Sequence, residues 1–208
     1  MLKRGVALRP SASRPPPVMI PIPQLLEAYA TGFFPMSDGG RIRWYSPNPR
    51  GIIPLDRFHV PHRLARVVRQ GRFEVRADTA FRRVIEACAA DREEGTWISA
   101  EIVESYCALH EAGCAHSIEA WSDGRLEGGL YGVALGGAFF GESMFHHARD
   151  ASKVALAALV DRLRARGFSL LDVQWITPHL ETFGAIEIPR RRYLMVLEEA
   201  LRLETTFL

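Results

Sequence analysis

Cysteine, long apolar runs and charge of a single sign are all scarce in this 208-residue chain, and each shortage excludes something. Cys88, Cys107 and Cys114 are odd in number and lack CxxC spacing, which argues against a disulfide framework and against structural zinc. A reducing cytoplasm fits them best. The longest uninterrupted apolar stretch, residues 154–160, is far short of the roughly 20 residues that cross a bilayer, so no membrane span is expected. A net charge of +2 with 24% charged residues rules out a polybasic nucleic-acid coat and leaves only local arginine clusters for any RNA contact. His110 and His116 have no third ligand in register, so no metal site is expected. No Ser-His-Asp or Cys-His order is present, and Ser143 lacks a G-x-S-x-G elbow, which leaves a covalent mechanism unsupported.

What the chain does have is concentrated in residues 126–145, LEGGLYGVALGGAFFGESMF, which carry no lysine and only two acids. Two strands rich in Val, Phe and Tyr are joined there by Gly136-Gly137, a pair whose tolerance of positive φ suits a tight hairpin turn. Glu142 lies between Gly141 and Ser143 in this apolar setting, and a buried ionised group needs a partner or a task. Gly128, Gly129 and Gly141 weaken a strand and mark close approach by a ligand or another backbone. An apolar cleft holding one acid is one reading; a plain core hairpin with a salt-bridged Glu is the other.

Residues 1–17 carry Lys3, Arg4, Arg9 and Arg14, no acid and a Pro-Pro-Pro run. The composition resembles a transit peptide without its amphipathic period, so a frayed, disordered tail over residues 1–20 is expected. Residues 21–60 read as a small loop-rich lobe, with a helix opened by Pro23 and closed by Gly32, then short strands at 43–45 and 51–53. An exposed Phe33-Phe34-Pro35 would be costly, so that segment should dock. Pro61 starts a helix with Leu64, Val67 and Val68 inward and Arg63, Arg66 and Arg69 in an outward stripe. The stripe is either a solvated surface or a phosphate track extended by Arg50, Arg57 and Arg72.

Residues 61–208 read as the main domain. A strand at 73–76 leads to a helix capped by Asp78 or Thr79, and Ser99 caps a second helix that ends at Gly113. From Ile98 onward the order is helix, three strands, helix, strand, short helix, strand, helix. That order gives an α+β fold, a mixed sheet flanked by helices, whose general form is shared with acyltransferases. On the strand at 168–175, alternation puts Asp172 and Gln174 on one face, about 7 Å apart at roughly 3.4 Å per residue. In the bland reading Asp172 caps a helix and Gln174 bonds a loop.

Seven ordered blocks then match a known family: GFFPM, WYSPNPRGIIPL, IEACAADREEGTWI, HEAGCAHSIEAW, GGLYGVALGGAFFGESMF, ASKVAL and LLDVQWITPHLETFGAIEIPRR. From about Leu25 to Tyr193 the chain resembles leucyl/phenylalanyl-tRNA–protein transferases. The resemblance implies a small N-terminal lobe plus an acetyltransferase-like domain. It implies transfer of Leu, Phe or Met from aminoacyl-tRNA to proteins with an N-terminal Arg or Lys, tagging them for degradation, with no cofactor. It further implies that Gln174, Asp172 and Glu142 are catalytic. The side-chain pocket would comprise Leu130, Phe139, Met144, Leu156, Leu159 and Leu171. Trp97 would stack on the terminal adenine, and Arg63, Arg66 and Arg69 would meet the acceptor stem. A cytoplasmic monomer is expected.

The chain departs from the family at Met36, where many members carry Trp, so the second adenine wall is softer. Phe140 and Trp175 are bulkier than the resemblance suggests. Asp91, Glu93 and Glu94 retain two readings, attraction of a basic N-terminal residue or a solvated loop. The nearest rival is a coenzyme-A-dependent N-acetyltransferase, whose pyrophosphate wants a Gly-rich turn at a helix start; the corresponding link, 146–152, has no glycine. A non-enzymatic RNA-binding module would leave Asp172, Gln174 and Glu142 idle.

Overall fold

The computed structural model describes residues 19–90 and 95–208. The expected tail, apart from its last two residues, and the acidic side chains of Asp91, Glu93 and Glu94 lie outside the described residues.

Helix α1 (Ile22–Ala30) starts with Pro23 in its first turn and buries Leu25 and Tyr29. Strands β1 (Phe34–Asp38) and β2 (Arg41–Tyr45) form an antiparallel hairpin turned by Gly39 and Gly40, both at positive φ. The Phe-Phe-Pro segment docks as expected: Phe34 is buried and stands edge-on to Trp175 at 5.2 Å. Strand β3 (Arg50–Ile53) was expected within the small lobe, but it belongs to the larger sheet.

Next come α2 (His62–Arg69), β4 (Glu74–Ala77), α3 (Phe81–Ala90) and α4 (Ala100–Glu111). The long meander follows as β5 (Ala115–Ser122), β6 (Arg125–Leu135) and β7 (Ala138–His146). The chain closes with α5 (Ala151–Ala165), β8 (Leu170–Gln174), the short α6 (Pro178–Glu181), β9 (Ile186–Ile188) and α7 (Arg190–Leu201). The architecture is therefore α+β, a mixed sheet flanked by helices with a small N-terminal hairpin, as the element order predicts.

Seven strands run in the order β4-β5-β6-β7-β8-β3-β9. Every neighbouring pair is antiparallel except β7 and β8, which α5 connects by crossover. One face of the sheet is covered by α1, α3, α4 and α7 through Leu25, Val84, Tyr106 and Tyr193. The other is covered by α5 through Val154, Leu156, Leu159 and Leu163, with Leu64 of α2 beside them. Val68 of α2, expected inward, is 46% exposed because the short helix buries only Leu64.

Two glycines show how tightly the layers meet. A Cβ on Gly128 would stand 2.6 Å from the Cβ of Ala151, so the start of α5 rests directly on β6. Gly136, at φ 53°, brings the hairpin turn against the end of α7, where a Cβ would meet the Leu201 carbonyl at 2.7 Å. The start of α3 is served not by its own Asp78 or Thr79 but by Glu119 of β5. That buried carboxylate accepts the Thr79 and Ala80 amides at 3.2 and 3.3 Å. Asp78 instead holds His116 at 2.7 Å. Among the described residues no helix is long and apolar enough to cross a membrane.

Candidate active site

The parallel seam between β7 and β8 is short. Pairing runs from Ala138 opposite Leu170 to Phe140 opposite Asp172 and stops there. The residues that follow on each strand, Gly141 to Met144 and Val173 to Trp175, line a cavity of about 320 Å³ between them. Its volume lies at the small end for a ligand site, suited to one amino-acid moiety rather than a large cofactor. Leu130, Leu156, Leu159 and Leu171, all buried, form its apolar wall together with Met144. Gln174 and Glu142 face the same cavity, as do Trp97 and Met36.

Glu142 sits at the seam facing both the cavity and a pair of buried tyrosines. Tyr29 of α1 donates to Oε1 at 2.7 Å, Tyr106 of α4 approaches Oε2 at 3.4 Å, and the two hydroxyls bond each other. Burial raises the Glu142 carboxyl to a pKa of about 8; the Tyr29 hydrogen bond opposes that, Asp172 adds to it, and Arg50 and Tyr106 oppose it. Burial, reinforced by Glu142, also holds both tyrosines well above the usual phenol range, so they remain hydrogen-bond donors.

Asp172 does not reach the cavity. Its carboxylate is fully buried behind the seam, where Arg50 Nε and Nη2 meet its two oxygens at 2.9 and 2.6 Å and Tyr193 donates at 2.7 Å. A fourth bond runs from the Gln174 amide to Oδ1 at 2.9 Å. The shared face expected for Asp172 and Gln174 fails because β8 ends at Gln174 with φ 58°, which breaks the strand alternation and turns that side chain into the cavity beside Val173. A non-glycine residue at such a φ is strained by about 1–3 kcal/mol and persists only where its surroundings over-determine it. The Asp172 acceptor and the neighbouring β3, whose Gly51 pairs with Gln174, do this. The buried Gln174 Nε2 has no hydrogen-bond partner among the described residues.

Two further expectations need correction. Phe139 is not on the cavity wall; it is fully buried and stacks on Phe207 at 5.4 Å between centroids. Arg50 is no part of a surface phosphate track, because its guanidinium is buried against Asp172. Arg63, Arg66 and Arg69 are exposed on α2, away from the cavity lining.

Residues 52–198 match the family model described as leucyl/phenylalanyl-tRNA protein transferase, and residues 19–48 match the N-terminal domain of the same family. The chain belongs to the leucyl/phenylalanyl-tRNA protein transferase family. A relative from Herpetosiphon aurantiacus, named leucyl/phenylalanyl-tRNA–protein transferase, is 60% identical over 187 residues, covering 89% of this chain and 97% of that one. Relatives of the same name from Chlorobaculum parvum and Gloeobacter violaceus are 52% and 57% identical, covering 91% and 88% of this chain and 100% and 95% of theirs. Among solved structures, one described as L-PGS from Bacillus licheniformis aligns with a TM-score of 0.41 at 13% identity, covering 68% of this chain and 45% of that one. A likeness that distant carries no argument.

As a leucyl/phenylalanyl-tRNA protein transferase family member, the chain is an aminoacyltransferase. The cavity and the buried acids beside it involve residues to which sequence reasoning gave no role. Trp175 is 45% exposed at the rim and packs edge-on against Phe34 and Tyr45. Tyr29, Tyr106 and Tyr193 read in the sequence as core aromatics on helices. Only their buried hydroxyls, converging on Glu142 and Asp172, distinguish them from plain core residues.

Proposed function

We propose that this transferase moves leucine, phenylalanine or methionine from the 3′ end of aminoacyl-tRNA to the α-amino group of proteins beginning with Arg or Lys, marking them for degradation. The observation that carries this reading is one cavity in which Glu142 and the Gln174 side chain, whose Nε2 has no partner among the described residues, share a wall with an apolar sleeve sized for one side chain.

The chemistry needs no protein nucleophile. The amine nitrogen attacks the ester carbonyl carbon, the bond to the ribose oxygen breaks, and the proton lost by the amine ends on that oxygen. An α-amino group of pKa about 7.7–8.0 is already partly neutral near pH 7. Holding it against the ester supplies much of the rate. In this reading the Gln174 side-chain oxygen accepts a hydrogen bond from the attacking amine. Asp172 acts behind it as a positioning residue, fixing the strained Gln174 backbone and not touching substrate. Glu142 binds an amino group of donor or acceptor.

Leu130, Met144, Leu156, Leu159 and Leu171 would receive the donor side chain and refuse β-branched ones, at about 1–3 kcal/mol per misfitted methylene. Trp97 and Met36 would flank the terminal adenine, and Arg63, Arg66 and Arg69 would meet acceptor-stem phosphates. The reading is tested by comparing transfer from Leu-tRNA with transfer from acetyl-CoA to a peptide beginning with Arg. Only the former should give product. Gln174→Ala should lower kcat far more than tRNA affinity; equal loss of both would make Gln174 a binding residue.

A further inference from the structure

A second cavity, of about 380 Å³, lies between the end of β7 and the start of α5, and it shares Met144 and His179 with the first. Arg149 and Lys153 border it together with His146, Ser152 and the Asp150 carboxylate. Arg149 is exposed and makes no hydrogen bond or ion pair among the described residues. Lys153 spends one of its three donors on Asp150 at 3.2 Å, which leaves two.

Three further features converge on the same space. Asp150 takes a left-handed φ of 71° and gives α5 no side-chain cap, so the Ser152 and Lys153 amides at the positive end of a 15-residue helix have no acceptor among the described residues. Ser152 borders the cavity, is 5% exposed, and its hydroxyl has no hydrogen-bond partner among the described residues. His179 is held below its usual pKa, first by burial and then by the nearby charges of Lys153 and His146. The Asp150 carboxylate also borders the cavity and offsets part of this charge through Lys153, which leaves Arg149, the spare Lys153 donors and the Ser152 hydroxyl as groups there without a partner among the described residues.

We propose that this second cavity binds a phosphate group, a phosphodiester of the 3′-terminal strand of the aminoacyl-tRNA whose amino acid occupies the first. The inference rests on the reading above and extends it to the RNA backbone. Tetrahedral anions are commonly taken by helix N-terminal amides joined by a hydroxyl and Lys or Arg. Because the two cavities share a wall, the same strand could be held at its phosphate while its ester is presented beside Gln174.

The test uses the full chain and a leucylated minihelix carrying one neutral methylphosphonate, placed in turn at each of the last three linkages. The double variant Arg149→Gln/Lys153→Gln should raise KM for the unmodified RNA roughly tenfold, keep kcat within about twofold, and flatten the salt dependence by about one to two phosphates. Ser152→Ala, which leaves every charge in place, should raise KM about threefold. At one linkage the methylphosphonate should weaken wild type by a similar factor and leave the double variant unmoved. Equal penalties in both proteins at every linkage overturn the proposal, as does a double variant with wild-type KM and salt slope.

A second arm separates two sources of phosphate. Followed by NMR, the His179 titration should move up by roughly one unit when the minihelix binds. If 3′-phosphoadenosine 5′-diphosphate moves it and the minihelix does not, the site belongs to a nucleotide cofactor and the proposal fails. Filter retention of the minihelix needs no transfer, so an enzyme that binds RNA in this way but forms no product refutes only the proposed reaction.

Discussion

Arg50 and Asp172 form a two-pronged ion pair, at 2.9 and 2.6 Å, with both side chains fully withdrawn from solvent. Arg50 also donates to the Gly32 carbonyl at 3.1 Å and lies beneath the rings of Phe34 and Tyr193. The pair thus ties the α1–β1 link, β3, β8 and α7 to one point directly behind the strained Gln174.

That pair predicts a separation of stability from activity. Arg50→Met leaves the Asp172 carboxylate buried without its cation and should cost about 3–5 kcal/mol of unfolding free energy. The double variant Arg50→Met/Asp172→Leu removes both charges and should recover most of that loss. It should not recover transfer, because the acceptor that holds the Gln174 amide is gone. Denaturant midpoints and kcat measured side by side decide it; a double variant with restored kcat would remove Asp172 from any positioning role.

Glu142 predicts a pH dependence with a definite sign. Its carboxyl is raised from an ordinary 4.5 to about 8, so between those values the folded chain holds a proton that the unfolded chain has released. Raising pH through that window therefore destabilises the native state, by up to about 1.4 kcal/mol per pH unit, until ionisation is complete above pH 8. Glu142→Gln cannot ionise and should escape this slope. The gap between the two proteins should widen with pH in thermal melts from pH 5 to 8; a constant gap would mean the carboxyl titrates normally.

Met36 predicts a gain of function. Ser37 donates its amide to the Trp97 carbonyl at 3.0 Å, so Met36 and Trp97 are held near each other at the cavity mouth. A second flat ring there should add base stacking, for which complete removal of an aromatic costs about 1–3 kcal/mol. Met36→Trp should lower KM for charged tRNA about 3- to 10-fold. The gain should vanish with a leucyl ester that lacks the adenine, and a gain retained there would place Met36 elsewhere on the substrate.

Gly136 and Gly39 predict unequal costs from the same substitution. Both have positive φ, 53° and 58°, but only Gly136 has the Leu201 backbone against it, whereas the space at Gly39 is open. Gly39→Ala should cost about 1–2 kcal/mol from backbone strain alone. Gly136→Ala adds overpacking and should cost about 1–3 kcal/mol more. Equal shifts in unfolding midpoint would show that the α7 end yields freely.

Most elements of this fold are legible locally. The Gly136-Gly137 turn, the Ser99 cap, which the structure places 3.4 Å from the Ile102 amide, and the alternating apolar strands follow from turn chemistry and side-chain period. The chain also encodes its family, through seven ordered motifs. The sequence signal for Glu142, an acid in an apolar hairpin, rests on the cost of burying charge and needs no neighbour to be read.

Local rules end where distant strands meet. Phe139 looks like a pocket residue by proximity to Glu142 and shares the α5 face with the leucines of the cavity wall, yet it lies where β7 and β8 are still paired and packs on Phe207 instead. Arg50 reads as one more surface arginine, because nothing near it in the chain announces Asp172. The cavity itself exists because β7 and β8 pair for only three residues and then part, a fact set by how α5 crosses over and how β3 grips the far side of β8. Side-chain period and turn chemistry act between neighbours in the chain, so they determine which segments form. Only packing between segments far apart in sequence decides where a seam opens and which buried groups face it.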